Sequence, residues 1–72
     1  MIEAATYYEE ACLAGDIVAW VARSTDEELR KLSSYVEHRV AENPTKGGIP
    51  ALVKWVCVIE ASKRFLHRHP AQ

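Results

Sequence analysis

The stretch Ala51-Leu52-Val53-Lys54-Trp55-Val56-Cys57-Val58-Ile59-Glu60-Ala61 decides the architecture. Nine of its eleven residues are apolar, and only Lys54 and Glu60 interrupt it. Val53, Val56, Val58 and Ile59 would suit a buried strand by content alone. Continuity decides for helix, because no turn residue separates the run from Ser62-Lys63-Arg64-Phe65-Leu66-His67. One helix over 50–68 is expected, with Pro50 in its first turn and Pro70 as its stop. On a helical wheel Ala51, Leu52, Trp55, Val58, Ile59, Ser62, Phe65 and Leu66 form the broader face, which is expected to cover the preceding helices. Val53, Val56, Cys57 and Ala61 form a second patch among Lys54, Glu60 and Lys63. A helix apolar on most sides needs neighbours on most sides. A chain of 72 residues offers few, so the second patch is expected to face a second copy of the chain.

Upstream of that helix the chain is nearly free of breakers, since Gly15 is the only glycine or proline before Pro44. A helix fits residues 2–14, with Ala4, Tyr8, Ala11 and Cys12 on one stripe and Tyr7 at its border. Gly15-Asp16 shifts the phase, and Ile17, Trp20 and Val21 start a new apolar set. Asp16 is a good N-cap, so a short second helix at 16–23 is expected. Thr25 and Glu28 have capping-box spacing, with Asp26 and Glu27 also favoured at a helix start. Leu29, Leu32, Val36 and Val40 then form one narrow stripe over 25–42, and Asp26–Arg30 and Glu27–Lys31 have ion-pair spacing. Asn43-Pro44-Thr45-Lys46-Gly47-Gly48 reads as a loop. The expected fold is an all-α bundle of three to four helices in one domain spanning 1–72, its last two helices antiparallel.

Composition bounds the function. The chain is 49% hydrophobic and 26% charged with a net charge of −1, which argues against disorder. Residues 1–16 carry four acidic groups and no Lys or Arg, whereas residues 43–72 carry five basic groups against Glu60. This dipolar pattern differs from the uniformly basic balance of most nucleic-acid binders. Two cysteines are too few for a disulfide framework, and Met1-Ile2-Glu3 lacks the basic start of a secretory signal. The longest apolar run is too short and too charged to span a bilayer. A cytoplasmic setting is expected.

No catalytic team stands out. His67-Arg68-His69 has the look of a metal tag, yet residues two apart diverge on a helix, and no metal or other cofactor is expected. Cys57 sits among apolar residues that would blunt its nucleophilicity. Glu9-Glu10 and Asp26-Glu27-Glu28 spread around their helices, and Gly47-Gly48 lacks the Lys-Ser/Thr of a phosphate loop. Ala11, Gly15 and Val21 have the spacing of a helix-turn-helix, but the reader helix would run into Asp26-Glu27 and meet phosphate with like charge. The expected function is therefore non-catalytic: a small regulatory, adaptor or inhibitor protein that binds itself and another protein, with Trp20, Val53, Val56 and Cys57 as candidate contacts. The alternative is a nucleic-acid-associated protein whose Lys63, Arg64 and Arg68 contact phosphate. Salt-sensitive binding would mark the second reading and apolar substitutions the first.

Overall fold

The structure is a computed structural model, and it describes residues 4–45 and 47–68. The expected start at Ile2, the Pro70 stop and His69 lie outside the described residues. The described residues form four helices: α1 (Ala4–Leu13), α2 (Ile17–Arg23), α3 (Asp26–Glu42) and α4 (Ile49–Arg68). No strand occurs among the described residues, and none of their helices is long and apolar enough to cross a membrane.

Local chemistry sets each boundary. Gly15 has φ +80°, a left-handed conformation that separates α1 from α2 at little cost for glycine. The Asp16 carboxylate then accepts from the Ala19 amide at 3.0 Å. At the start of α3, Thr25 Oγ1 accepts from the Glu28 amide at 3.1 Å, and the Glu28 carboxylate accepts from the Thr25 amide at 2.8 Å. These reciprocal bonds satisfy two amides that the helix itself leaves without partners. Gly47 and Gly48 also have positive φ, and α4 begins directly after them with Pro50 in its first turn.

Each helix contributes to one core. Leu29, Leu32 and Val36 of α3 meet Tyr7 of α1, Val21 of α2, and Val53 and Cys57 of α4. Arg64, late in α4, reaches Asp26, the first residue of α3, at 2.9 Å. That long-range contact fixes α3 and α4 as an antiparallel pair. Asp26 also pairs with Arg68, so it does not serve the expected local bridge to Arg30. Glu27 takes Arg30 instead, at 3.8 Å.

The phase of α1 differs from expectation. Tyr7, not Tyr8, is the buried ring, with Ala11 beneath it on the same stripe. Tyr8 is half-buried against Tyr35, their centroids 5.5 Å apart. Arg39 lies 5.8 Å from the Tyr8 ring and donates to the Tyr35 hydroxyl at 2.8 Å. A tyrosine at this rim keeps its apolar body covered and its polar end accessible, so the polar groups of α3 select Tyr8 for the edge.

Candidate functional site

The two faces of α4 exchange the roles expected of them. Val53 and Cys57 have 0% exposure within the single subunit, and Val56 is half-buried against the same core. Val53 and Cys57 therefore cannot form a free seam, and the expectation that they contact a second copy is corrected, whereas Val56 keeps part of its surface at a cleft shared with Val18 and Ile59. Val53, Cys57, Glu60 and Arg64 fall at spacings of four, three and four, on one side of the helix. Small Val53 and Cys57 let α4 approach α3 closely, where a ring as large as Trp55 would hold the helices apart. Glu60 and Arg64 extend this inward side, their side chains only 16% and 19% exposed and bonded to each other at 2.8 Å.

The opposite side is apolar and open. Leu52 is 53% exposed, Trp55 62%, Ile59 55% and Leu66 61%. With Ser62 between the last two, these positions step by three, four, three and four along the helix. That is the spacing of a helix–helix seam, in which side chains at alternating intervals of three and four face a single partner helix. Val18 of α2 extends the surface sideways, lining a shallow cleft with Val56 and Ile59. Glu60 and Lys63 border the same cleft with opposite charges. Scattered exposed leucines are ordinary, but aligned large side chains on one helix mark a contact surface.

Trp20 is not part of this surface. Its ring lies 6.2 Å from that of Tyr7 and packs against the core. It joins α1 to α2 and is half-buried in that role.

The structure brings the three cations of the alternative site together, Lys63, Arg64 and Arg68 lining one shallow surface pocket with Glu60 and His67. Lys63 is exposed. Arg64 is held by Glu60 and Asp26 and also donates to backbone carbonyls at the end of α2. Its bond to Glu60, more than that to Asp26, raises its pKa above the ordinary guanidinium value. Arg68 is paired with Asp26. In turn Arg64 and then Arg68 hold the Asp26 carboxyl below its usual range. Two of the three cations are thus paired with carboxylates, Arg64 largely covered and Arg68 still 59% exposed.

Cys57 is enclosed, and burial, with a smaller contribution from the charge of Glu37, pushes its thiol up to about 11. A thiol so protonated is a poor nucleophile at neutral pH. No group of three or more His, Cys, Asp or Glu side chains is placed to hold a metal ion among the described residues.

The sequence does not single out this exposed stripe, although its residues all share one face of the wheel. The three-four spacing through Leu52, Trp55, Ile59, Ser62 and Leu66 was the available signal. Comparison with known proteins returned no match, whether against family models, curated proteins or solved structures.

Proposed function

We propose that the protein is a non-catalytic interaction module, a small regulator or adaptor that works by docking the outer face of α4, first of all onto a second copy of itself. The observation that carries this reading is the open stripe of Leu52, Trp55, Ile59 and Leu66. Each such half-exposed side chain offers on the order of 100 Å² of apolar surface. With Val18 included, complete coverage by a second copy would remove about 1,000 Å² from water, the lower bound for a specific interface. A cytoplasmic setting belongs to the same reading, since both cysteines are free thiols.

The nucleic-acid alternative draws less support. Arg64 and Arg68 are engaged with carboxylates, which partly offset the charge that Arg68 and Lys63 present at this exposed end. Thermal unfolding over a range of protein concentrations tests the docking reading. A dimer gains stability with concentration, so the wild-type midpoint should climb while that of Trp55→Glu stays flat. Two flat midpoints would refute it. Salt-sensitive binding to duplex DNA that Lys63→Glu abolishes would replace it with the alternative.

A further inference from the structure

We propose that the cavity where the end of α3, the loop at 43–48 and the start of α4 meet beside Tyr8 binds a small organic carboxylate, with Arg39 holding its acid group. The cavity has a volume of about 410 Å³, inside the range of roughly 300–1,000 Å³ found for small-molecule sites. Val40, Pro44, Ile49 and Pro50 give it apolar walls, and Tyr8 adds an aromatic one. Such walls suit a compact apolar body better than a bare, strongly hydrated ion. The site shares no residue with the Leu52/Trp55/Ile59/Leu66 stripe, so it stands whether or not that face docks.

The sign of the ligand follows from the charge in the wall. Arg39 supplies it, and no Asp or Glu lines this cavity among the described residues. The groove between α3 and α4 differs, since there Arg30, Arg64 and Arg68 share the lining with Asp26 and Glu37. Arg39 also forms no ion pair among the described residues. One of its terminal nitrogens donates to the Tyr35 hydroxyl at 2.8 Å, and its guanidinium carbon lies 5.8 Å and 5.7 Å from the Tyr8 and Tyr35 ring centres. These contacts hold the cation in place and leave its other N–H groups for an incoming acceptor. The Tyr35 hydroxyl, and more weakly Glu42, raise its pKa above the ordinary guanidinium value, and Glu42 stands outside the cavity wall. A planar guanidinium with adjacent donors matches the two oxygens of a carboxylate.

Titration of the full chain with three probes, followed by the NMR signals of its backbone amides, tests the site. Benzoate carries an acid group on a flat apolar ring, benzamide keeps that shape without the charge, and acetate keeps the charge without the ring. Benzoate should shift the amide signals of Gly47, Gly48 and Ala51, all in the cavity wall, and the shifts should saturate. Benzamide should bind at least about tenfold more weakly, the lower end for losing a hydrogen bond between charged groups. Acetate should also be weaker than benzoate, because it leaves the apolar walls in water. Arg39→Gln should weaken benzoate as much as removing the probe's charge does, with circular dichroism unchanged because Arg39 is exposed. Shifts that do not saturate, benzamide or acetate binding as well as benzoate, or an Arg39→Gln chain that binds benzoate like the wild type would each overturn the site.

Discussion

Arg64 of α4 donates a 2.7 Å hydrogen bond to the carbonyl oxygen of Ser24, the residue that closes α2. The same nitrogen reaches the Val21 carbonyl at 3.2 Å and the Ala22 carbonyl at 3.4 Å. The last carbonyls of a helix have no partner within it, and a seven-residue helix is too short to stand alone. Arg64 thus caps α2 from a different helix while its other nitrogens bind Asp26 and Glu60. One side chain fastens α2, α3 and α4 at the same end of the bundle.

Replacing Arg64 by alanine should therefore lower stability by about 1.5–3 kcal/mol, the range for hydrogen bonds to a charged group. Arg64→Lys should restore little, because a single ammonium cannot span the positions that the planar guanidinium reaches. Urea unfolding monitored by circular dichroism measures both. An unchanged midpoint for Arg64→Ala would remove its role as a fastener.

The capping box at the start of α3 gives a smaller and local effect. Thr25→Ala should cost roughly 0.5–2 kcal/mol, and Thr25→Ser should recover most of it because its hydroxyl can still accept from the Glu28 amide. The same denaturation experiment distinguishes the pair, and equal losses for both would contradict the assignment.

Stability should fall at both ends of the pH range, for different reasons. The folded-state pKa of Asp26 is depressed by Arg64 and Arg68. Its contribution is present above the ordinary carboxylate value of 3.8 and is lost as pH falls toward the folded value. Cys57 behaves oppositely, its folded pKa lying at about 11 against an ordinary 9.0. That contribution is complete below pH 9.0 and is lost as pH rises toward about 11. Unfolding free energies across pH should show the acid slope flattened in Asp26→Asn and the alkaline slope flattened in Cys57→Ala. Slopes identical to wild type would contradict these assignments.

The local elements were legible because single residues specify them. Gly15 and Asp16 mark the break, Thr25 and Glu28 the cap, and Leu29, Leu32 and Val36 an unambiguous buried stripe. The rotation of α4 was not legible, because both of its faces are apolar and a wheel does not rank them. The broader face is not the buried one, although Trp55 and Ile59 have more surface to bury than Val53 and Cys57. Close packing favours the smaller side chains wherever backbones must approach. Glu60, one of the charges around the second patch, lies with Arg64 on the inward side, where Arg64 turns to cap α2. Tyr7 and Tyr8 exchanged places for a related reason, because adjacent identical residues leave the phase to partners on other helices.

The central claim is that the outer face of α4 is covered by a second copy in solution. Sedimentation equilibrium of the wild type and of Ile59→Glu tests it most directly. Ile59 is exposed, so the variant should keep the fold and its circular dichroism while losing the seam. The account predicts twice the chain mass for the wild type at micromolar concentration and the single-chain mass for the variant. A wild-type chain that remains a monomer at high micromolar concentration, with Leu52, Trp55 and Ile59 still in water, would contradict it.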